Sequence, residues 1–325
     1  MRNKKFLVTG ASGFAAPHLI NLLLREGHEV HGTIRGSNGR ETDVLDVITE
    51  ENFRKIIFHY LDLTHSHSVE KLIKENNFDG IFHLAAQSHP PTSFGDPLWT
   101  FEANIMASAN IISAIQGSET KLHFCSTSEV YGDTGKIVGL LKEDMPLAPN
   151  NPYGVSKAAI DLYMQERMSN GFINGFVTRA FSHTGLKRGY RFSISSDAYQ
   201  LAKIKMGLQE SVLKIGNLST ERVVIDVKDC VCAYYLLMMN DNSSGQVFNV
   251  CGERVDKMQV FTDKLIEISG LDVVQEIEPK FYRKVDIQVQ IGDSSKLRNL
   301  TNWKPEISID VTLKELYDYW IKKLS

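Results

Sequence analysis

The fold is decided near the start of the chain by one stretch, Phe6-Leu7-Val8-Thr9-Gly10-Ala11-Ser12-Gly13-Phe14-Ala15-Ala16. Its first three residues are apolar and indicate a short buried strand, and apolar residues recur at helical spacing after it. Gly10 permits a tight turn, Gly13 lets the backbone approach a pyrophosphate, and Ala16 is small enough for close packing of a helix on a strand. The helix would begin with free N–H groups and a partial positive charge. This strand–loop–helix arrangement predicts a dinucleotide-binding site.

Short apolar runs alternate with helical patterns through the first half of the chain. Further strands are predicted at residues 29–34, 56–61, 81–85 and 122–125, with helices around residues 69–73 and 101–115. Such alternation is typical of a parallel sheet with helices on both faces. The predicted fold class is therefore α/β, with a Rossmann-type doubly wound parallel sheet and a smaller C-terminal substrate-binding lobe.

The pattern becomes less regular after Phe181, where glycines break it into short pieces. We expect residues 1–180 to form an NAD(P)-binding Rossmann domain, to which residues 223–250 return. Residues 181–325 would form mainly the substrate-binding lobe. Because ligands bind outside the carboxyl ends of strands in open sheets, the cleft between the lobes is the expected site.

The composition of the 325-residue chain is ordinary for a globular protein, with 42% hydrophobic and 23% charged residues. The formal net charge of −3 does not favour a nucleic-acid partner, which would require a basic excess. Apolar stretches are too short for a membrane span or a secretory signal. The four cysteines form no CxxC pair, and no nearby histidine completes a zinc spacing. We therefore expect free thiols, no metal site and a cytoplasmic protein.

The end of the second predicted strand bears on the choice between NAD and NADP. An acidic residue there would bind a ribose 2′-hydroxyl, whereas an arginine would meet a 2′-phosphate. This chain has Arg35 at that place, which leans toward NADP and leaves both cofactors open. Asp62 and Leu63 follow the third predicted strand, where they would meet the adenine. Asp62 or Thr64 could equally cap the next helix.

Candidate catalytic residues follow the fifth predicted strand and begin the next long helix. Tyr153 and Lys157 lie four residues apart and would share a helix face. A nearby ammonium favours the phenolate and lowers the pKa of a tyrosine, so the pair could remove a hydroxyl proton while hydride leaves the same carbon. The hydroxyl of Thr127 could hydrogen-bond the reacting oxygen. Glu129 could take a second proton, from a carbon made acidic by a neighbouring ketone, or could instead be a helix cap or a buried ion pair.

Longer motifs then carry a family resemblance. Residues 9–16, 82–86, 126–132 and 151–157 resemble the motifs of the extended short-chain dehydrogenases, and the resemblance covers nearly the whole chain. Within that superfamily the chain is most similar to the GDP-mannose 4,6-dehydratase group and its relative, GDP-4-keto-6-deoxymannose reductase. The stretches that carry this closer match are residues 88–94, 182–189 and 215–222.

The resemblance implies an NAD(P)-dependent enzyme that acts on a GDP-sugar. It implies a catalytic set of Thr127, Glu129, Tyr153 and Lys157. The cofactor-binding residues would be Gly10, Ser12, Gly13, Phe14, Ala15, Arg35, Asp62, Leu63, Leu84, Ala85, Ala86, Tyr153, Lys157 and His183. The substrate-binding residues would be Ser88, Ser128, Ser182, Arg188, Asn217, Arg222 and Arg283. Of these, Arg222 and Arg283 would clamp the diphosphate, since guanidinium groups bind phosphate in bidentate fashion; Arg188 and Asn217 would help to hold the nucleotide.

The chain also departs from the family pattern around the expected sugar and diphosphate. Ser182 stands where asparagine is usual, and no aspartate immediately follows Arg222. The leading hypothesis is a GDP-sugar 4,6-dehydratase without net redox change. The alternatives are a C4 dehydrogenase or 4-keto reductase on a GDP-hexose or GDP-heptose, an epimerase, and a dinucleotide sensor without turnover. Because Tyr153 and Lys157 are both present, the sensor is disfavoured. Members of this superfamily are commonly dimers or tetramers, so we expect a homo-oligomer.

Overall fold

A computed structural model describes residues 3–36, 39–282 and 287–325. Its strands are β1 (Lys5–Thr9), β2 (Glu29–Ile34), β3 (Ile56–Tyr60), β4 (Gly80–His83), β5 (Lys121–Thr127), β6 (Leu140–Leu141), β7 (Asn174–Ala180), β8 (His183–Thr184), β9 (Val212–Ile215), β10 (Glu221–Val223), β11 (Ile225–Asp226), β12 (Gln246–Val250), β13 (Val255–Lys257), β14 (Val274–Ile277) and β15 (Val289–Gly292).

Its α-helices are α1 (Ala15–Arg25), α2 (Glu50–Phe53), α3 (Ser66–Asn76), α4 (Pro90–Gly95), α5 (Pro97–Phe101), α6 (Ala107–Ala114), α7 (Gly135–Val138), α8 (Pro152–Ser169), α9 (Ser193–Lys205), α10 (Val227–Met238), α11 (Met258–Ser269), α12 (Ser295–Thr301) and α13 (Ile309–Leu324). Short 3₁₀ segments cover Arg40–Asp46, Ser128–Thr134, Asp241–Ser243 and Pro279–Phe281, and a π-helical turn covers Glu102–Met106. No helix among the described residues is long and apolar enough to cross a membrane.

The main sheet has seven strands in the order β12-β7-β5-β4-β1-β2-β3. All of its strand pairs are parallel. The chain runs outward from β1 through β2 to β3 and then returns to β4 on the other side of β1, so the strand order reverses between β1 and β4. This topology confirms the predicted doubly wound α/β fold class, and the reversal point is where such sheets bind ligands.

Helices cover both faces of the main sheet because each presents an apolar stripe to it. On one face, α1 and α10 pack together and contribute Leu19, Leu23 and Leu237 to a single core. On the other face, α3, α6 and α8 bury side chains such as Leu72 and Ile111. Burying one such side chain stabilises the folded state by about 1.5–3 kcal/mol. The two cores together therefore hold the strands in place, and with them the loops at the carboxyl edge of the sheet.

A second group of elements lies after β7. The helices α9, α11 and α13 contact one another around a core that includes Leu201, Leu265 and Leu316. Among the described residues, three small sheets accompany them: one in the order β13-β10-β15-β6, one that pairs β9 with β14 and one that pairs β8 with β11. The chain also returns to the main sheet, since β12 pairs with β7.

Two predicted elements differ from those observed. The predicted strand at residues 81–85 ends at His83, because the N–H groups of Leu84 and Ala85 donate to the hydroxyl of Thr9 instead. The predicted helix at residues 101–115 is interrupted by the π-helical turn. Asn104 lies in that turn and is buried, and its amide donates to the carbonyl of Gln87 and to Ser156 Oγ. These buried polar contacts accompany the local change from α to π geometry.

Candidate active site

A cavity of about 1150 Å³ lies at the carboxyl edge of the main sheet and is lined by residues from both parts of the chain. The structure brings into it all the sequence-predicted site residues except Arg283, namely Gly10, Ser12, Gly13, Phe14, Ala15, Arg35, Asp62, Leu63, Leu84, Ala85, Ala86, Ser88, Thr127, Ser128, Glu129, Tyr153, Lys157, Ser182, His183, Arg188, Asn217 and Arg222. Arg283 lies outside the described residues.

The phosphate loop between β1 and α1 is held tightly against the sheet. Gly10 has a φ of 68°, and a Cβ there would lie 2.9 Å from the Cα of Ala85. A side chain at this position would therefore be both strained and blocked. The N–H of Gly10 donates to Thr33 Oγ1 at 3.2 Å, and the N–H of Gly13 donates back to the Gly10 carbonyl at 2.8 Å. Thr33 was not predicted from the sequence, because a strand threonine gives no local indication of this contact.

A buried hydrogen-bond chain fixes the two loops relative to each other. The hydroxyl of Thr9 accepts from the N–H groups of Leu84 and Ala85 at 3.1 and 3.0 Å and pairs with His83 Nδ1 at 2.8 Å. His83 Nε2 lies 2.8 Å from Ser108 Oγ. Burial lowers the pKa of His83 to about 3, so the ring is neutral and serves as a structural link.

The start of α1 fits the pyrophosphate of a dinucleotide. Its N-cap residue, Phe14, makes no side-chain capping hydrogen bond, and the first turn carries no acidic residue. The N–H groups of that turn and the helix dipole thus lie at the cavity without an internal anion beside them. Further along the cavity, the Arg35 guanidinium lies 5.8 Å from the Trp99 ring centre. Asp62 accepts hydrogen bonds from the N–H and hydroxyl of Thr64, both at 2.9 Å, so it forms a local turn rather than the cap of α3.

The Tyr153 phenol is buried next to Thr127, with which it hydrogen-bonds. Lys157, one turn along α8, donates from Nζ to the backbone carbonyl of Cys125 at 2.6 Å and lies 4.8 Å from the Phe124 ring centre. Burial raises the pKa of Tyr153 well above its usual value, and it lowers the pKa of Lys157. The sequence led us to expect a lowered pKa for the tyrosine. Burial outweighs the charges around it, and the neighbouring cation that lowers this pKa is Arg188.

Glu129 lies in the same cavity, at the first turn after β5. Its Oε2 accepts a hydrogen bond from Asn151 Nδ2 at 2.8 Å, and its backbone N–H donates to Thr127 Oγ1 at 3.3 Å. Asn151 is also the N-cap of α8, since its Oδ1 accepts from the N–H of Gly154 at 2.8 Å. One buried asparagine therefore orients the carboxylate and the helix that carries Tyr153. The sequence pattern predicted the carboxylate but not its asparagine partner.

Arg188 lies between two aromatic rings. Its guanidinium carbon is 3.5 Å from the ring centre of Phe192 and 4.5 Å from that of Phe14. The net pKa of Arg188 is lowered to about 10. Burial is the main cause, and the nearby Tyr153 phenol opposes part of that lowering. Through its contact with Phe14, the cation lies beside the start of α1. The role predicted from the resemblance, holding the nucleotide, stays a prediction.

Two other predicted substrate residues, Asn217 and Arg222, lie on the second part of the chain. The Arg222 guanidinium donates to the backbone carbonyls of Glu221, Ile287 and Gln288. Asn217 Oδ1 accepts from the N–H and hydroxyl of Ser219 at 3.1 and 2.7 Å. Both residues line the cavity, and their predicted contacts with a diphosphate and a nucleotide stay predictions.

Sequence reasoning missed a buried acid in the cavity wall. Asp197 lies on α9, and its Oδ2 accepts from Thr262 Oγ1 at 2.7 Å. Burial raises its pKa from 3.8 to about 7. A single aspartate inside an amphipathic helix gives no indication in the sequence that it is buried.

Comparison with known proteins places this site in a family. The family model described as GDP-mannose 4,6 dehydratase matches residues 7–316. The chain belongs to the GDP-mannose 4,6-dehydratase family. This confirms the resemblance that was inferred from its motifs.

Relatives in the family carry two different activities in their names. A Vibrio cholerae GDP-mannose 4,6-dehydratase is 30% identical over 350 residues, which cover 96% of this chain and 92% of the relative. A Pseudomonas aeruginosa GDP-6-deoxy-D-mannose reductase is 29% identical over 320 residues, which cover 98% and 97%.

Solved structures share the fold over nearly the whole chain. RMD from Pseudomonas aeruginosa, solved in complex with NADPH, is 26% identical with a TM-score of 0.82 and covers 99% of this chain and 100% of its own. UDP-glucuronic acid 4-epimerase from Bacillus cereus, in complex with UDP-glucuronic acid and NAD, is 25% identical with a TM-score of 0.84 and the same coverage. The family fold thus accompanies reactions on more than one nucleotide sugar.

Proposed function

We propose that this family member is an NAD(P)-dependent 4,6-dehydratase of a GDP-mannose-type sugar, working without net redox change. The observation that carries the proposal is the Glu129 carboxylate, which Asn151 holds in the same cavity as Tyr153. Oxidation of one hydroxyl requires a single base, whereas elimination of water requires a second one. The Vibrio cholerae relative named GDP-mannose 4,6-dehydratase supports the sugar and the nucleotide.

The cofactor would lie on the phosphate loop and the start of α1. Its pyrophosphate would meet the N–H groups after Gly13, and its adenosine half would reach Asp62 and Arg35. When bound, NAD(P) would supply the redox chemistry, taking the C4 hydride from the sugar and returning it to C6 in the same cycle. Arg35 is exposed and lines the cavity, and its guanidinium would pair with a 2′-phosphate, which favours NADP.

The first half of the cycle is a deprotonation at C4. Tyr153 takes the C4 hydroxyl proton, and Thr127 hydrogen-bonds both the phenol and the reacting oxygen. The pKa of Tyr153 is raised by burial, so the phenolate needs positive charge nearby. Arg188 supplies such a charge, and Lys157 anchors the same helix to the end of β5 through the Cys125 carbonyl.

The second half is the loss of water across C5 and C6. A ketone at C4 makes the C5 proton acidic, and Glu129 removes it. Glu129 passes that proton to the departing C6 hydroxyl, which leaves as water. C6 then gains the hydride that C4 had lost, and C5 gains the proton that Tyr153 had taken from the C4 hydroxyl. Asn151 keeps the carboxylate oriented through its hydrogen bond to Oε2. The reaction needs one base at the C4 hydroxyl and another at C5, and Tyr153 and Glu129 would serve as these two bases.

The sugar nucleotide would occupy the rest of the cavity. We propose that its sugar and diphosphate contact the substrate residues Ser88, Ser128, Ser182, Arg188, Asn217, Arg222 and Arg283. For the described members of this set, the support is that all of them line one cavity. Arginine suits diphosphate recognition because its planar guanidinium pairs with two phosphate oxygens.

The deciding experiment follows the sugar mass and the nicotinamide absorbance together. Purified protein is incubated with GDP-mannose and, separately, with GDP-heptose. We expect loss of one water without accumulation of reduced cofactor. Glu129→Gln should block water loss while still allowing hydride exchange at C4, and Tyr153→Phe should block both steps but retain cofactor binding. Stoichiometric cofactor reduction without water loss would overturn the dehydratase proposal.

The second candidate is a C4 reductase or dehydrogenase on a GDP-hexose or GDP-heptose. The similarity to the Pseudomonas aeruginosa GDP-6-deoxy-D-mannose reductase, which extends over 98% of this chain, favours it. In that case the protein would reduce a 4-keto sugar with stoichiometric consumption of NADPH, and Glu129→Gln would retain activity. The same two readouts, repeated with a 4-keto GDP-sugar and NADPH, therefore separate the candidates.

We also propose that the protein is a homo-oligomer. Leu98, Met106, Val155 and Leu162 are 76, 50, 42 and 55% exposed. Val155 and Leu162 are seven residues apart on α8 and share a face, and α5 and the π turn pack beside that helix. A second copy of the chain would cover this apolar surface. Light scattering should give a dimer or tetramer, and Leu162→Glu should shift it toward the monomer.

The cytoplasmic location and the domain boundaries stay predictions.

A further inference from the structure

The segment after β8 crosses the phosphate loop from the other part of the chain. We name residues 185–188 the strap. The strap contacts α1 and the loop before it at three successive residues, Leu186, Lys187 and Arg188. These contacts join residues about 170 positions apart in the sequence, since the paired residues differ by 168 to 175 in number.

The central contact is the Lys187 ammonium. Its Nζ donates to the backbone carbonyls of Ser12 at 2.8 Å and Gly13 at 3.2 Å. In a trans peptide, the carbonyl and the following N–H point in opposite directions. Holding the Gly13 carbonyl from outside therefore aims the N–H of Phe14 the opposite way, toward the anion position at the start of α1.

Two further contacts close the strap on either side of Lys187. His18 Nε2 donates to the Leu186 carbonyl at 2.9 Å, and burial lowers the pKa of His18 to about 4, so this ring is a neutral donor. On the other side the Arg188 guanidinium lies 4.5 Å from the ring centre of Phe14. The strap thus contacts both the phosphate loop and the first turns of α1.

The backbone of the strap is unusual for its sequence. Lys187 has a φ of 74°, a left-handed conformation that is strained for a residue with a Cβ. Glycine would adopt it without that strain. A strained non-glycine residue that persists at a binding loop points to a function for its side chain. Here the side chain reaches the phosphate loop, which is a function that glycine could not perform.

We propose that Lys187 is a positioning residue that locks the phosphate loop and makes NAD(P) a slowly exchanging, resident group. The inference rests on the NAD(P) dependence in the proposed function, but not on dehydration. An enzyme that returns its hydride within one cycle has no need to release the cofactor, so slow exchange would suit it.

The test measures cofactor release without any sugar nucleotide. Protein loaded with NADPH, and in parallel with NADH, is mixed with excess oxidised cofactor, and the loss of bound nicotinamide fluorescence gives the dissociation rate. Because a hydrogen bond from a charged donor is stronger than a neutral one, Lys187→Gly should raise this rate by roughly tenfold or more. Lys187→Arg should keep it near the wild-type value, because arginine restores a cationic donor.

Stability separates this role from a merely structural one. Because Lys187→Gly removes backbone strain, its melting temperature should not fall even though release accelerates. Lys205→Ala, an exposed lysine at the end of α9, is the matched control and should leave the rate unchanged. His18→Leu removes the neighbouring donor and should also accelerate release.

The outcomes divide clearly. Faster release in Lys187→Gly and His18→Leu, with rescue by Lys187→Arg, would support the strap. A dissociation rate within about twofold of wild type in Lys187→Gly would overturn it, whatever the sugar assays show. Slow release with no dehydration would retain the strap and refute only the dehydratase.

Discussion

Replacing Asp197 with asparagine should make the stability of the protein less sensitive to pH. The carboxylate is buried in α9, and Thr262 Oγ1 donates to it at 2.7 Å. Burial raises its pKa from 3.8 to about 7, and the hydrogen bond offsets only part of that change. Since the native state binds this proton more tightly than the unfolded chain does, Asp197 stabilises least when it is ionised. Its contribution to the free energy of unfolding falls as the pH rises from about 4 toward 7.

The size of the effect follows from the two pKa values. They differ by about 3 pH units, and each unit corresponds to about 1.4 kcal/mol, so the change approaches about 4 kcal/mol by pH 8. Asparagine keeps an oxygen that accepts from Thr262 and has no charge to lose. Relative to wild type, Asp197→Asn should therefore gain up to about 4 kcal/mol of unfolding free energy between pH 4 and pH 8.

Urea unfolding at a series of pH values measures this difference directly. Other titrating groups are common to both proteins and cancel. Asp272→Asn, an exposed aspartate in the loop after α11, is the control and should show no comparable trend. A difference between Asp197→Asn and wild type that stays constant across the whole pH range would refute the argument, because it would mean that burial does not hold the proton on Asp197.

Substitutions at three other positions test the site. Asn151→Asp keeps the oxygen that caps α8 but loses the donor to Glu129, so turnover should fall at least tenfold with little loss of stability; Asn151→Ala should in addition lose about 1 kcal/mol in urea unfolding. Gly10→Ala should lower both stability and cofactor affinity, because its Cβ would clash with the backbone of Ala85 in the loop after β4. Gly27→Ala is the control: its φ is 81° but the space around it is open, so it should lose only roughly 1 kcal/mol of stability. Arg35→Ala should weaken NADP binding by about tenfold in a fluorescence titration and change NAD binding by less than about twofold; equal losses for both would argue against a 2′-phosphate contact.

The parts of the fold that were predictable are those with local patterns. The phosphate loop combines a strand, two glycines and a helix start within eleven residues, and each of these has a strong local preference. Alternating apolar runs then predict the parallel sheet. The break in the helix at Asn104 was not predictable, because it depends on contacts with Gln87 and Ser156, which lie 17 and 52 residues away.

The candidate site shows the same division between local and distant information. Tyr153, Lys157, Thr127 and Glu129 stand in short motifs, and the fold brings them to one cavity. Their partners do not stand out in sequence. The pKa of Tyr153 could not be predicted from a neighbouring lysine, because burial, a property of the whole fold, outweighs the nearby charges.

The charges around Tyr153 also bear on the order of events in the proposed cycle. A carboxylate at Glu129 raises the pKa of Tyr153, and the Arg188 guanidinium lowers it. A phenolate and a carboxylate in one buried cavity repel each other, so the Glu129 carboxylate opposes formation of the Tyr153 phenolate. When Tyr153 takes the C4 hydroxyl proton it becomes neutral and can no longer serve as a base, so the next proton, at C5, goes to Glu129. This occurs at the step where the C4 ketone has made the C5 proton acidic. Before that proton transfer, the positive charge of Arg188 stabilises the Tyr153 phenolate. Because Arg188 is held between Phe14 and Phe192, its charge is screened less by water and therefore acts more strongly on the phenolate.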